Sequence, residues 1–150
     1  MIEEGQPAPA LTLATTAGDS IDLGAPGGSL VLYFYPKDDT SGCTREAQDF
    51  TALADEFAAA GARVVGVSRD SAKSHDKFIA KYDLKVPLAV DEGPLSEAFG
   101  TWVEKSMYGK KYMGVQRATF IIDPEGKIAH VIEKASPKTH DDDVLKALAA

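Results

Sequence analysis

The stretch LVLYFYPKDDTSGCTREAQDF, residues 30–50, contains an apolar run, a proline and the only cysteine of this 150-residue chain. The near-continuous, β-rich apolar run that stops at Pro36 is typical of a central strand buried on both faces. From Cys43 to Ala60, apolar residues recur at spacings of three and four, which predicts an amphipathic helix closed by Gly61. The cysteine is therefore predicted to lie where a buried strand passes into a helix.

The rest of the chain alternates predicted strands and helices. In chain order, the further elements are an N-terminal β-hairpin that turns at 17–19, a strand at 62–68, a helix from about Ser71 to Tyr82, a strand at 86–90, a helix at 94–100, a hairpin that turns at 124–126 and a closing helix at 139–149. This order predicts an α/β fold with a central mixed sheet flanked by helices, a thioredoxin-like architecture with an added N-terminal β-hairpin. No repeat or linker interrupts it, so residues 1–150 are expected to form a single domain.

The composition excludes several classes of function. A net charge of −7 attracts neither nucleic acid nor an anionic membrane, so neither is an expected partner. The longest apolar run, residues 30–35, is far shorter than the roughly 20 residues of a membrane span, and the acidic first ten residues lack the apolar core of a secretory signal. One cysteine cannot form an internal disulfide, which favours a reducing compartment and makes the cytoplasm the expected location.

The residues around Cys43 are suited to thiol chemistry. A thiol reacts as its thiolate, and the unpaired N–H groups and partial positive charge of a helix's first turn stabilise that anion. The Thr40 hydroxyl can accept a hydrogen bond from a substrate and donate one to the sulfur. Pro36 fixes the backbone where the strand ends and keeps bulk water from a bound ligand, and Gly42 lets the backbone approach a small ligand closely.

Each of these residues also has a plainer interpretation. A lone cysteine is more often a small core residue than a nucleophile, and Pro36 could merely end the strand. Thr40 or Ser41 could be the helix N-cap, and Glu46 could be the acid of a capping arrangement. The combination P-x-x-x-T-x-x-C between a buried strand and a helix favours the chemical interpretation.

The segment FYPKDDTSGCTREA, residues 34–47, resembles the active-site segment of the peroxiredoxins, and within them that of the bacterioferritin-comigratory (peroxiredoxin Q) subfamily. The resemblance continues through residues 66–92 and 102–128, so it covers nearly the whole chain. It implies a thiol peroxidase that reduces hydrogen peroxide and organic hydroperoxides.

The resemblance assigns a role to each residue that matches the family pattern. Cys43 matches the peroxidatic nucleophile, which becomes a sulfenic acid when it attacks a hydroperoxide. Thr40 matches the threonine that hydrogen-bonds the peroxide and the sulfur, and Pro36 matches the proline that shields the pocket from water. Arg117 matches the arginine that supports the site, where a guanidinium stabilises charge that moves from sulfur to the leaving oxygen. Without the resemblance, Arg117 would be interpreted as part of a surface salt bridge.

Glu46 has a second interpretation once an arginine is placed at the site. It lies one helical turn after Cys43 on the same face, where its carboxylate can orient a guanidinium. This role and capping are compatible, so Glu46 and Gly42 are treated as supporting residues. Four more residues lie in the matching stretches: Asp38 and Asp39, interpreted as a solvated turn, and Trp102 and Tyr108, which either wall the pocket or pack in the core.

The three histidines and the metal-binding residue types indicate no second site. Cys–His pairing would indicate a protease-like nucleophile, but nothing in the sequence brings His75, His130 or His140 to Cys43, and structural or surface roles are expected for them. No Cys/His cluster has the spacing of metal ligands, and no glycine-rich loop is present to bind phosphates. No metal and no cofactor are therefore expected.

The chain departs from the subfamily pattern at Gln48, where many members carry a second, resolving cysteine. No later cysteine is present, so the sulfenic acid on Cys43 has to be reduced by an external thiol: thioredoxin, glutathione with or without glutaredoxin, or another small thiol. The resemblance therefore implies a one-cysteine peroxiredoxin, expected to be a monomer. The missing resolver leaves open an alternative, a peroxide-sensing redox switch or binding module with little turnover.

Overall fold

Nine strands and five helices make up the part of the chain that the computed structural model describes, residues 1–133 and 140–149. The strands are β1 (Thr12–Ala14), β2 (Ser20–Asp22), β3 (Ser29–Phe34), β4 (Ala62–Ser68), β5 (Leu88–Val90), β6 (Trp102–Met107), β7 (Lys110–Val115), β8 (Ala118–Ile122) and β9 (Ile128–Glu133). The helices are α1 (Ser41–Ala52), α2 (Ala54–Ala59), α3 (Ala72–Tyr82), α4 (Pro94–Phe99) and α5 (His140–Ala149). None of these described helices is long and apolar enough to cross a membrane. Thr139, predicted to open the closing helix, lies outside the described residues.

Five strands form a mixed sheet in the order β5–β4–β3–β8–β9. The strands β3, β4 and β5 run parallel, with helices in the connections between them. β8 runs antiparallel to β3, and β9 runs antiparallel to β8. β1 and β2 pair separately as an antiparallel hairpin, and β6 and β7 form another. The predicted mixed sheet and N-terminal β-hairpin are therefore confirmed.

β3 is the central strand, and its alternating side chains enter two separate apolar cores. Leu30, Leu32 and Phe34 pack in one core with the N-terminal hairpin and α4, whereas Val31 and Tyr33 pack in the other with residues of α1, α2, α3 and α5. Each of these five residues is at most 1 % exposed. This is the burial on both faces that the apolar run predicts, and it places helices on both sides of the sheet.

The long helix predicted after the central strand differs from the observed helices in two ways. It begins at Ser41, with Thr40 extended at the N-cap (φ −98°, ψ 155°), and it is interrupted at Leu53 (φ −102°, ψ 13°), where α1 ends and α2 follows. On either side of the break, Phe50 and Phe57 pack in the same core with ring centroids 5.5 Å apart. Apolar spacing does not reveal the break because it continues through both helices.

The β6–β7 hairpin is not predicted from the sequence. Its residues are largely exposed, so no clear alternation of apolar and polar residues marks the strands. Its turn consists of Tyr108 and Gly109, both with positive φ (52° and 78°), as a type I′ turn requires. A tyrosine in the left-handed conformation is uncommon, and the Asn-Gly or Asp-Gly pair that usually marks such a turn is absent.

The sheet brings two distant parts of the chain together at one end. Because β8 is antiparallel to β3, with Ala118 opposite Phe34, the residue that precedes β8 lies near the residue that follows β3. Cys43 lies in the first turn of α1, beyond the carboxyl end of β3, and Arg117 lies just before the start of β8. The strand order thus places the predicted nucleophile and the predicted arginine at the same end of the sheet.

Candidate active site

Arg117 joins Cys43 and Glu46 through the two terminal nitrogens of one guanidinium. Nη2 donates a hydrogen bond to the Cys43 sulfur at 3.0 Å, and Nη1 donates to Oε1 of Glu46 at 2.7 Å. Cys43 is 3 % exposed, and the side chains of Glu46 and Arg117 are 1 % and 17 % exposed. The charge-assisted bond to the buried carboxylate fixes the guanidinium, so the second nitrogen is held against the sulfur.

Glu46 binds the arginine and does not cap the helix. It lies one turn after Cys43 on α1, which has no side-chain cap and no acidic residue in its first turn. Burial raises the pKa of Glu46 to about 7, although the charge and the hydrogen bond of Arg117 oppose that shift. Burial lowers the pKa of Arg117, but its contacts with Glu46 and Cys43 outweigh burial and leave that pKa raised.

The raised pKa of Glu46 predicts a pH-dependent loss of stability. A carboxyl whose folded pKa lies above its ordinary 4.5 contributes stability fully below about pH 4.5 and loses that contribution as the pH rises through its folded pKa of about 7. Glu46→Gln keeps the side-chain shape and does not titrate. From about pH 4.5 to about pH 8, the free energy of unfolding of the wild type is expected to fall by about 3 kcal/mol relative to this variant. Urea unfolding under reducing conditions measures the difference, and a pH-independent difference would contradict the prediction.

Thr40 lies at the N-cap of α1, but its hydroxyl is not bonded to the sulfur. The hydroxyl donates to the Lys37 carbonyl oxygen at 2.9 Å, and the first helical hydrogen bond runs from the Thr44 N–H to the Thr40 carbonyl oxygen at 2.8 Å. The predicted donation to Cys43 is therefore wrong for this structure, because the turn brings the Lys37 carbonyl within reach of the hydroxyl. The hydroxyl oxygen keeps its capacity to accept a hydrogen bond.

Pro36 lies in the loop that leads from β3 into α1, and Gly42 lies just beyond that loop. Pro36 is exposed just beyond the end of β3, and Gly42 is half-buried in the first turn of α1, next to Cys43. Both occupy the positions that the sequence predicts. Exclusion of water by Pro36 and close approach of a ligand at Gly42 stay predictions.

Asp38 was expected in a solvated turn and is instead buried, so that prediction is wrong. Its carboxylate accepts hydrogen bonds from the Tyr35 hydroxyl at 2.5 Å, the Ser74 hydroxyl at 2.8 Å and Nδ1 of His75 at 2.7 Å. His75 is fully buried, and its Nε2 lies 2.9 Å from the Ala89 carbonyl oxygen. Because both ring nitrogens face acceptors, both donate, and the histidine is an imidazolium. The sequence does not show these contacts because Ser74 and His75 lie on α3 and Ala89 lies on β5.

The Asp38–His75 ion pair anchors the loop before Cys43 to α3. Burial lowers the pKa of His75, but the hydrogen bond and the charge of Asp38 outweigh burial and leave that pKa raised. Burial raises the pKa of Asp38, but hydrogen bonds from His75, Tyr35 and Ser74 outweigh burial and leave it lowered. Both shifts favour the charged forms, in agreement with the two acceptors that face the His75 ring, and His75 has the structural role expected of it.

The roles predicted for the other residues of the matching stretches, Asp39, Trp102 and Tyr108, are confirmed in part. Asp39 is exposed and binds Lys81 at 2.7 Å, as expected of a solvated turn. Trp102 packs partly buried against the core, with the Arg69 guanidinium 3.4 Å above its ring, which supports core packing. Tyr108 is 98 % exposed at the tip of the β6–β7 hairpin, so both roles considered for it are wrong.

Lys105 of β6 is a residue near the site that the sequence does not reveal. Its Nζ donates to the Val115 carbonyl oxygen at 2.5 Å, two residues before Arg117. Burial and the neighbouring Arg117 lower the pKa of Lys105, whereas the charge of Cys43 opposes that shift. No motif marks this lysine, because it reaches the site only through a hairpin that the sequence does not predict.

Two further histidines and a possible metal site were also considered in the sequence. His130 is half-buried on β9, and the side chain of His140 lies outside the described residues. Within residues 1–133 and 140–149, no group of three or more His, Cys, Asp or Glu side chains could hold a metal ion.

The thioredoxin-like sheet and the buried thiol bonded to an arginine at a helix start agree with the peroxiredoxin resemblance, and the protein is an enzyme of this class, a thiol peroxidase. The family model described as AhpC/TSA matches residues 4–131, and the chain belongs to that family. The resemblance seen in the sequence is therefore confirmed.

Individual relatives agree over nearly the whole chain. The chain is 48 % identical over 142 residues to Peroxiredoxin Bcp of Xanthomonas campestris pv. campestris, covering 93 % of this chain and 89 % of the relative. It is 45 % identical over 149 residues to Peroxiredoxin Bcp of Bacillus subtilis, covering 98 % and 95 %. The solved bacterioferritin comigratory protein of X. campestris, studied for alkyl peroxide reduction, has a TM-score of 0.88 and 44 % identity over 98 % of both chains. A mutant of Xylella fastidiosa PrxQ has a TM-score of 0.91 and 35 % identity, covering 99 % and 96 %.

Proposed function

We propose that this protein is a one-cysteine peroxidase in which Cys43 reduces hydrogen peroxide and organic hydroperoxides. The thiolate attacks the peroxide oxygen that carries the hydrogen, so a sulfur–oxygen bond forms while the oxygen–oxygen bond breaks. The sulfur is oxidised to a sulfenic acid, and the other oxygen leaves with the electron pair and takes up a proton to give an alcohol or water. The alkyl peroxide reduction studied in the X. campestris relative supports the inclusion of organic hydroperoxides.

The hydrogen bond from Arg117 to the Cys43 sulfur carries this proposal. A fixed cation at 3.0 Å stabilises the thiolate before attack and then the negative charge that passes to the leaving oxygen. Glu46 holds the other nitrogen at 2.7 Å and keeps the guanidinium from turning away. Because the donors are already in place, the reaction needs little reorganisation.

Thr40, Pro36 and Gly42 complete the proposed site. The Thr40 hydroxyl, whose hydrogen is engaged by the Lys37 carbonyl, accepts a hydrogen bond from the peroxide O–H. Pro36 carries no N–H and helps to exclude water, and Gly42 leaves space for the peroxide beside Cys43.

Reduction of the oxidised enzyme requires a thiol from outside, because Cys43 is the only cysteine. The external thiolate attacks the sulfur of the sulfenic acid, and the hydroxyl leaves with a proton as water, which gives a mixed disulfide. A second thiol attacks the external sulfur and releases Cys43. Thioredoxin, or glutathione with or without glutaredoxin, is the proposed reductant.

The proposed enzyme is a cytoplasmic monomer with one domain, residues 1–150.

Rapid mixing of the reduced protein with one equivalent of hydrogen peroxide tests whether Cys43 is peroxidatic. We expect a rate constant orders of magnitude above that of free cysteine, together with a mass gain of one oxygen. Cys43→Ser is the control and is expected to show neither. A rate like that of free cysteine would refute a peroxidatic role for Cys43.

Excess peroxide without added thiol is expected to over-oxidise Cys43. No second cysteine competes with another peroxide molecule for the sulfenic acid, so the sulfinic acid accumulates. Intact mass after the incubation checks this prediction, with two added oxygens expected. At low peroxide, a non-reducing gel is expected to show a Cys43–Cys43 dimer. Protein that retains only one oxygen in large peroxide excess would contradict the over-oxidation.

A peroxide-sensing switch is the second candidate function, and the absence of a resolving cysteine favours it. Such a switch would be oxidised quickly but would be reduced slowly by thiols. Steady-state consumption of peroxide with thioredoxin or glutathione separates the two functions. Sustained turnover would exclude the switch, whereas one rapid oxidation followed by little consumption would exclude the peroxidase.

A further inference from the structure

The β6–β7 hairpin carries an exposed apolar surface. Apart from Met1, all the large apolar side chains that are well exposed in the described residues lie on this hairpin: Met107 at 57 %, Tyr108 at 98 %, Tyr112 at 43 % and Met113 at 48 %. Single exposed apolar residues are common on protein surfaces, but Met107 and Tyr112 share one face of this hairpin. Together with Tyr108 at the tip they form a patch of the kind that contacts a partner, whereas Met113 lies on the opposite face.

The turn at the tip of the hairpin holds its aromatic residue away from the rest of the protein. Tyr108 has a φ of 52°, in the left-handed region that a bulky side chain seldom occupies. No gain in burial offsets this strain, because the residue is 98 % exposed. Strained residues of this kind cluster at functional surfaces, and tyrosine is a common anchor at protein interfaces.

The hairpin is basic although the molecule as a whole is acidic. It carries Lys105, Lys110 and Lys111 against one acid, Glu104, whereas the net charge of the chain is −7. Glu104 and Lys111 pair at 3.7 Å, but both side chains are exposed, so the pairing is weak. Such a local positive surface attracts an acidic partner and disfavours pairing with the same hairpin of a second copy, because the lysines would then face each other.

The apolar, basic hairpin begins at the peroxidatic site. The end of β7 lies two residues before Arg117, and Lys105 donates to the Val115 carbonyl oxygen at 2.5 Å. Lys105 pairs across the strands with Tyr112, so both side chains lie on the same face. Gly114 leaves room for them: a methyl group there would lie 3.2 Å from the Lys105 chain and 3.4 Å from the Tyr112 ring. The hydrogen bond from Lys105 to Val115 therefore places this face at the end of the hairpin that leads to Arg117.

We propose that the β6–β7 hairpin is the docking surface for a protein thiol that reduces Cys43, with apolar and acidic side chains around the partner's own cysteine. This proposal rests on the proposed one-cysteine function, because a chain with a single cysteine needs an external thiol in every catalytic cycle. Apolar contacts at the tip hold the partner, and the lysines orient its acidic surface. The partner's thiolate then attacks the Cys43 sulfenic acid, with loss of water, as described above.

Steady-state reduction of the full-length protein by Escherichia coli thioredoxin, with thioredoxin reductase and NADPH, tests the docking surface. Two double variants remove one property each: Met107→Ser with Tyr108→Ser, and Lys110→Glu with Lys111→Glu. We expect each to lower kcat/KM for thioredoxin about 10-fold, and the loss in the lysine variant to shrink at high salt. Lys127→Glu is the matched control. This lysine is exposed and lies after the end of β8, whereas Arg117 lies just before the start of that strand.

Dithiothreitol in place of thioredoxin distinguishes docking from chemistry. Both double variants are expected to react with hydrogen peroxide and with dithiothreitol at the wild-type rate. Wild-type turnover with dithiothreitol but not with thioredoxin, or equal thioredoxin rates in all variants, would overturn the docking proposal and leave the peroxidase intact. Dimers that sedimentation detects in the wild type and not in the hairpin variants would also overturn it, in favour of self-association. Failure of Cys43 to oxidise would instead refute the proposed function.

Discussion

Replacing Arg117 by methionine is expected to lower the second-order rate constant for oxidation of Cys43 by hydrogen peroxide about 100- to 1,000-fold, equivalent to about 3–4 kcal/mol. Methionine retains an unbranched side chain but supplies neither the hydrogen bond to the sulfur at 3.0 Å nor that to Glu46 at 2.7 Å. The thiolate loses its fixed cation, and the leaving oxygen loses the charge that stabilises it. Stopped-flow mixing with peroxide measures the loss.

Two other substitutions make this result interpretable. Arg117→Lys keeps the charge, but one ammonium group cannot reproduce the fork that holds both Glu46 and Cys43, so an intermediate rate is expected. Arg45→Met removes an arginine from the same helix region whose side chain is 56 % exposed and 3.8 Å from Asp49. Its rate is expected to equal that of the wild type. A folded Arg117→Met protein that is oxidised as fast as Arg45→Met would refute the role of Arg117.

Replacing His75 by alanine is expected to lower the free energy of unfolding by about 3–5 kcal/mol. The substitution leaves the buried carboxylate of Asp38 without its cation, although the hydroxyls of Tyr35 and Ser74 still donate to it. It also removes the donor to the Ala89 carbonyl oxygen. Because small proteins have a total stability of about 5–15 kcal/mol, this is a large loss. Urea unfolding at constant pH measures it.

The effect of His75→Ala is also expected to depend on pH. Asp38 has a lowered pKa, so its contribution is present above its ordinary pKa of 3.8 and is lost as the pH falls through the lower folded pKa. His75 has a raised pKa, so its contribution is present below its ordinary pKa of 6.5 and is lost as the pH rises through the higher folded pKa. The difference between wild type and variant is therefore expected to be largest between about pH 4 and about pH 6.5.

A conservative variant separates loss of charge from loss of volume at this position. The amide nitrogen of His75→Asn can take the place of Nδ1 and donate to Asp38, so a smaller loss of stability is expected than for His75→Ala. Adding Asp38→Asn to His75→Ala removes the buried charge and is expected to recover part of the loss. A loss below about 1 kcal/mol for His75→Ala at every pH would show that the ion pair does not stabilise the fold.

Much of the site could be predicted because its members lie in segments with strong local signals. The apolar run of β3 and the proline after it placed Cys43 at a strand-to-helix junction, and the resemblance supplied Arg117 from across the sheet. Asp38 was misinterpreted because two adjacent acids in a polar turn are usually solvated, and its partners Ser74 and His75 lie on α3. Lys105 was missed because its strand lacks an alternating pattern.

The sequence by itself determined the local properties of this protein: the buried central strand, the helix that follows it, and a single thiol at their junction. Only the tertiary structure decided which side chains meet. Cys43 and Arg117 are 74 residues apart, and they touch because β8 pairs antiparallel with β3 in a particular register. Periodicity reports which face of one element is buried, whereas a contact between elements depends on strand order and register, which no local pattern contains. For the same reason, the carboxylates of Glu46 and Asp38 acquired their partners only in the folded chain.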